Sequence, residues 1–223
     1  PVFDSDTCIN CNLCHESCAF NAISKSIELI PGKCEGCGLC EYICPTGAIT
    51  MEDHAIGHTL RHETAYGPLI DAELFPGDES SGKLVSEVRD KATKMARETN
   101  KETILIDGSP GTACNVISTI TGVDVIFVVT EPTMSGIHDL KRVIELTRIF
   151  PVPVHVIINK STINPTKAKE IRTYCQNNGI EIRLEIPFDS NIVNDISRKV
   201  IPSLGRSAFF KSDEWKHFVE ELL

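Results

Sequence analysis

The sequence predicts an α/β chain in which a parallel-sheet domain follows a compact, cysteine-rich head. Three observations carry this. Eight of the ten cysteines fall within the first 44 residues, in two runs of identical spacing. From about residue 103 onward, short apolar runs alternate with amphipathic stretches, the pattern of a sheet covered on both faces by helices. The most hydrophobic run, Val125 to Val129, has the length of a buried strand and falls far short of the roughly 18 residues of a membrane-spanning helix.

The head comes first. Cys8, Cys11, Cys14 and Cys18 form a C-x2-C-x2-C-x3-C run, and Cys34, Cys37, Cys40 and Cys44 repeat it at a constant offset. The repeat continues past the fourth cysteine, so Ile23 and Ile49 are equivalent apolar positions suited to excluding water. A cubane cluster needs four thiolates converging from different directions. Two-residue gaps let one loop wrap three corners, and the fourth thiolate must come from elsewhere. The spacing resembles that of the bacterial two-cluster ferredoxins, small α+β domains, and residues 1–53 are expected to form one. The resemblance implies two 4Fe-4S clusters with crossed ligation: Cys8, Cys11, Cys14 and Cys44 for one, Cys34, Cys37, Cys40 and Cys18 for the other. Ala19 stands where the second run and many ferredoxins have proline (Pro45), a change that loosens the turn without removing a ligand. A pair of zinc sites and a disulfide framework are alternative uses of the same cysteines, but zinc would not need the third cysteine of each compact run.

Residues 54–82 are expected to connect the two parts. Within them, 54–76 reads as a hairpin turning near Glu63 to Gly67, followed by a polar loop, Pro76 to Gly82. Residues 83–223 then form the larger domain. Its first helix, Lys83 to about Thr99, places Leu84, Val85, Val88, Ala92 and Met95 on one face. Strands are predicted at Thr103 to Asp107, Asp124 to Thr130, Val152 to Asn159 and Glu181 to Ile186. Helices are predicted near Thr112 to Ile120, Gly136 to Ile149 and Thr166 to Asn177, with a terminal surface helix over Asp213 to Leu223.

The ends of these strands carry short motifs: Ile104-Leu-Ile-Asp107-Gly-Ser-Pro-Gly111-Thr, Val129-Thr-Glu131-Pro-Thr133, Ile158-Asn159-Lys160 and Ile186-Pro187-Phe188-Asp189. Ligands of open parallel sheets bind at the carboxyl ends of strands. Together the motifs resemble the MinD/Mrp/nitrogenase-iron-protein family of P-loop ATPases, most closely the branch with an inserted ferredoxin domain. The resemblance runs from residue 1 to about 205. It implies a P-loop NTPase-like fold, ATP and Mg as ligands of the full-length protein, and a homodimer when ATP is bound. It assigns Asp107 to the magnesium shell or attacking water and Gly111 to a backbone contact near the γ-phosphate. Asn159 would read the adenine edge, and Pro187, Phe188 and Asp189 would close over base and ribose.

No complete G-x4-G-K-[ST] phosphate loop is present. The nearest match, Gly77 to Leu84, has leucine in place of the hydroxyl and two acidic residues that would repel phosphate. The family places the phosphate loop before the ferredoxin insertion, so the chain is expected to be the C-terminal part of a longer polypeptide and not to hydrolyse ATP alone. Among weaker signals, Cys114 lies at the offset from Asp107 where nitrogenase iron protein places a cluster ligand, though a small buried thiol is the plainer reading. Cys175 reads as a packed or partly exposed helix thiol. His54, His58 and His62 could align three imidazoles, but a solvated hairpin face explains them as well.

With 22 basic and 31 acidic residues and a net charge of -9, nucleic acid and anionic membrane surfaces are poor partners. The absence of a signal peptide and of a long apolar stretch points to a cytoplasmic protein. The leading expectation is an iron–sulfur protein that couples ATP to electron transfer or cluster handling, with a redox partner or acceptor protein. A non-catalytic ferredoxin-type electron carrier and a cluster assembly scaffold are the alternatives.

Overall fold

In a computed structural model, residues 1–76 and 82–222 are described, and they divide into two compact units, Pro1–Lys101 and Glu102 onward. Each is built around its own core.

The first unit begins with strand β1 (Val2–Phe3), helix α1 (Leu13–Glu16), helix α2 (Leu39–Tyr42) and strand β2 (Ile49–Thr50). β1 and β2 pair antiparallel, Val2 opposite Thr50 and Phe3 opposite Ile49, so the ends of the head are tied together. Inside, Cys14, Ile23 and Ile49 are buried together with Phe3 and Ile27 packed against them. The sequence repeat is visible in this burial: Ala22 and Ala48 are both 2% exposed, and Ile23 and Ile49 follow each of them into the interior. The backbone repeats too. Asn10, Asn12 and Asn21 have φ of 54°, 61° and 50°, and their counterparts Gly36, Gly38 and Gly47 have φ of 67°, 74° and 67°. The loops demand a left-handed residue at the same three places. One half meets the demand with asparagine, the other with glycine.

The hairpin follows as β3 (Gly57–Thr64) and β4 (Gly67–Leu74), paired in register from Gly57–Leu74 to Thr64–Gly67. Helix α3 (Gly82–Glu98) packs on β4 and belongs to this first unit, with Met95 buried and Leu84, Val85, Val88 and Ala92 half-buried on one face. Most of the Gly77 to Leu84 segment weighed as a phosphate loop, residues 77–81, lies outside the described residues, while Lys83 stands exposed on the first turn of α3.

The second unit carries helix α4 (Cys114–Ile120), strand β5 (Ile126–Thr130), helix α5 (Met134–Thr147), strand β6 (Val154–Ile158), helix α6 (Pro165–Asn177), strand β7 (Glu181–Glu185), helix α7 (Ser190–Ser197) and helix α8 (Asp213–Glu220). Two 3-10 turns, Pro202–Leu204 and Phe209–Lys211, separate the last two. The strands form one parallel sheet in the order β5-β6-β7. Alternation along β6 sorts its residues by face. Val156 and Ile158 join Ile126, Val128, Ile137, Leu140 and Ile171 on one side, and Ile157 joins Leu184, Phe127 and Phe218 on the other. Helix starts are capped by side chains: Thr133 accepts from the Gly136 amide at 2.9 Å, and Asn164 accepts from the Lys167 amide at 3.1 Å.

One expected strand is not formed. Residues 101–109 have no regular secondary structure, and Leu105 is 93% exposed. A parallel strand buried on both faces exists only through hydrogen bonds to a neighbour, and among the described residues no strand pairs with this segment. The sheet therefore has three strands where the apolar pattern suggested four. No helix is long and apolar enough to cross a membrane, among the described residues.

Candidate metal centre

The eight cysteines of the head surround two hollows. Cys8, Cys11, Cys14 and Cys44 line one of about 320 Å³, together with Ile49. Cys18, Cys34, Cys37 and Cys40 line the other, of about 470 Å³, together with Ile23; Cys14 also reaches its wall. Each hollow thus receives three cysteines of one run and the last cysteine of the other. The chain geometry explains why. α1 and α2 are too short to do more than bend each loop back on itself, so the fourth cysteine of each run is carried away toward the opposite loop. All eight are free thiols, and no disulfide joins any of them.

Local donors are arranged around the sulfurs. The Ala22 amide donates to Cys18 Sγ at 3.3 Å, and the Thr46 hydroxyl lies 3.7 Å from Cys44 Sγ. Burial pushes the Cys44 thiol up, but donors from Thr46, Ala48 and Gly47 outweigh it and hold the thiol below its ordinary value. Burial raises Cys14 and Cys40. Among the described residues, no three His, Cys, Asp or Glu side chains converge closely enough to hold a single metal ion. Zinc would require sulfurs about 2.3 Å from one centre. Four cysteines ringing an open hollow fit a larger, multi-iron group bound by thiolates.

The remaining candidates are scattered more widely. His58 stacks edge-on against Phe75 with centroids 4.9 Å apart, and His62 bonds Asp71 at 3.1 Å, so both serve the hairpin. Cys114 is exposed at the start of α4. Cys175 is buried on α6, and burial raises its thiol. In the second unit, Asp107 is exposed on the irregular 101–109 segment, and Gly111 follows with φ of 97°. Asn159 ends β6: its amide donates to Thr130 O at 2.7 Å, and its side chain accepts from the Lys160 amide. Lys160 reaches back to Glu131 at 2.8 Å. Asp189 caps α7 by accepting from the Asn191 amide at 2.8 Å, and the Phe188 amide donates to Thr162 Oγ1. Pro187 is half-buried. The expected Asp107 strand end is thus lost with its strand, while Asn159, Pro187, Phe188 and Asp189 sit at the carboxyl ends of β6 and β7. Sequence reasoning did not single out Thr46 or Asn12 beside the sulfurs. Setting the two runs against each other position by position would have exposed them, because their counterparts are Phe20 and Gly38.

Residues 2–51 match the 4Fe-4S dicluster domain family. An uncharacterized protein of Methanocaldococcus jannaschii is 34% identical over 197 residues, covering 88% of this chain and 66% of its own length. A second uncharacterized protein of the same organism is 27% identical over 211 residues, covering 95% of this chain and 68% of its own length. The chain therefore spans only about two thirds of these relatives. The pyruvate synthase subunit PorD of Methanothermobacter marburgensis is 42% identical over 52 residues, 23% of this chain and 64% of PorD. The likeness to PorD has the extent of the head alone. With paired cysteine hollows, an internal repeat in sequence and backbone, and a matching family, the head of this chain is a ferredoxin-type 4Fe-4S dicluster domain.

Proposed function

We propose that the protein is an iron–sulfur electron carrier whose head holds two 4Fe-4S clusters, one in each hollow, and exchanges electrons with a partner enzyme. The observation that carries this is the lining of each hollow by one complete crossed set: Cys8, Cys11, Cys14 and Cys44, and Cys18, Cys34, Cys37 and Cys40. Bound clusters supply one-electron transfer at low potential. The chain's own part is to present thiolates, to shield them with Ile23 and Ile49, and to donate hydrogen bonds to the sulfurs. The likeness to PorD supports a partner of the pyruvate synthase kind, in which such a domain serves as one subunit of a larger enzyme.

Anaerobic iron and sulfide loading tests the reading. About eight irons per chain and the paramagnetic signals of reduced 4Fe-4S clusters are expected. Cys44→Ser should reduce the signal of one cluster and spare the other. A colourless, zinc-binding product would sink the proposal. Rapid loss of clusters to an apo-acceptor, with no redox cycling, would favour the assembly-scaffold reading instead.

A second reading is supported by the loops at the sheet's carboxyl end, where open parallel sheets bind ligands. Asn159 bonds the end of β5, and Ser161 bonds Ile186 at the end of β7, so the three loops are held together. In this reading Asn159, Pro187, Phe188 and Asp189 contact ATP, Asp107 and Gly111 serve magnesium and the γ-phosphate, and two subunits close around the nucleotide. Mg-ATP titration of the full-length protein discriminates. Binding that is lost in Asn159→Ala favours nucleotide coupling, and redox activity with no nucleotide affinity leaves the carrier reading alone.

A further inference from the structure

The halves of the head are duplicates in ligand spacing but not in what surrounds the sulfurs. Aligned on their cysteines, the runs pair Asn12 with Gly38, Thr46 with Phe20 and Ile9 with Glu35. These differences all bear on the two hollows. Asn12 and Thr46 line the hollow of Cys8, Cys11, Cys14 and Cys44, where the Thr46 hydroxyl is 3.7 Å from Cys44 Sγ and Asn12 Oδ1 is buried without a partner. The oxygen and nitrogen of an amide are interchangeable by a flip, so Asn12 brings either a donor or an acceptor to this wall. In the other hollow, the corresponding places are taken by Gly38 and Phe20, which bring no side-chain donor, so the donors there are the Ala22 amide on Cys18 Sγ at 3.3 Å and Ser17 on the wall. Glu35 stands on its wall where Ile9 stands on the first.

Reduction adds one negative charge. Hydrogen bonds to the ligand sulfurs favour the more negative state, and a carboxylate nearby disfavours it. Solvent pulls the other way, since Cys34 and Cys37 are both exposed and only Cys11 is exposed in the first hollow. The Thr46 hydroxyl, however, lies 3.7 Å from Cys44 Sγ, within reach of donating to the thiolate, and Glu35 adds an exposed carboxylate to the wall of the other hollow. We infer that, within the two-cluster reading proposed above, Thr46 makes the Cys8, Cys11, Cys14 and Cys44 site the more readily reduced of the two, while Glu35 holds the other site lower. An electron placed on this domain therefore rests at equilibrium in the first hollow.

A redox titration of the anaerobically loaded full chain, followed by electron paramagnetic resonance, tests this. The wild type should show two separate midpoints. Thr46→Val should lower the higher midpoint and leave the lower one in place, whereas Thr46→Ser should leave both unchanged. Glu35→Ile, which copies Ile9, should raise the lower midpoint alone. A tenfold change in the ratio of reduced to oxidised sites corresponds to about 59 mV for one electron, the order of shift expected. A single midpoint in the wild type would overturn the inference, as would a Thr46→Val protein with neither midpoint moved or with the lower one moved. If the wild type lacks any 4Fe-4S signal, it is the two-cluster reading that fails.

Discussion

Asp195, on α7, is 3% exposed, and its carboxylate accepts from the Arg206 amide at 2.8 Å. Gly205 lies directly against it. A Cβ at position 205 would stand 1.9 Å from Asp195 Oδ2, and moving that buried carboxylate aside would give up its bond from the Arg206 amide. Gly205 is therefore required by this contact and not by its backbone angles. Gly205→Ala should displace the carboxylate, leave the Arg206 amide without its acceptor, and destabilise the second unit by about 1–3 kcal/mol, measured by urea unfolding. Nothing in the sequence marks Gly205 as critical, because the constraint comes from a side chain ten positions earlier that only the fold brings near. Thr46 and Asn12 escape notice for a different reason. Spacing rules identify the thiolates, since four of them must meet one cluster. A donor beside a thiolate obeys no spacing rule, and in the sequence it shows only as a departure of one run from the other, as Thr46 departs from Phe20.

At the scale of elements, β5, β6 and β7 lie within one or two residues of their predicted bounds, because apolar runs with turn residues on either side are a local signal. Helices α3 to α6 and α8 are legible for the same reason, each showing one apolar face and, for α5 and α6, a capping residue, whereas α1 and α2 are too short to show a period, and neither they nor α7 are expected from the sequence. The segment 103–107 has an equally apolar sequence and no strand. Its extended state depends on a pairing partner, and pairing is not a property of the segment itself. α7 offers a test at this scale. Asp189 caps it, and the hydrogen bond from the Asn191 amide holds the Asp189 carboxyl below its ordinary value. A carboxyl depressed in the folded state contributes stability above its unfolded pKa and loses it as pH falls through the folded value. Asp189→Ala should therefore melt earlier than the wild type at neutral pH. The gap should close as the pH is lowered through the acid range below the ordinary carboxylate pKa, which thermal melts at a series of pH values would show.

At the scale of the whole molecule, the two units depend on different physics. The second has a continuous apolar core on both faces of its sheet. The head buries little beyond Cys14, Ile23, Ile49 and the two alanines, too small a core to hold a chain of that length in place. Metal–thiolate bonds supply what is missing, and binding free energy becomes folding free energy. Stripping iron with a chelator under denaturant-free conditions should abolish amide protection across residues 1–53 and leave protection in β5, β6 and β7 unchanged, as hydrogen exchange would show. Loss of protection in both units together would contradict it. A further consequence attaches to the outer edge of β5, which no strand covers among the described residues. Ile126-Phe-Val-Val-Thr130 carries no charge and no proline, and Val129 is 61% exposed. Such an edge is a template for like strands, opposed only by the charges that flank it, Asp124 before and Glu131 after. The protein should therefore be prone to aggregation through that edge, and Val129→Lys is the simplest way to keep it in solution.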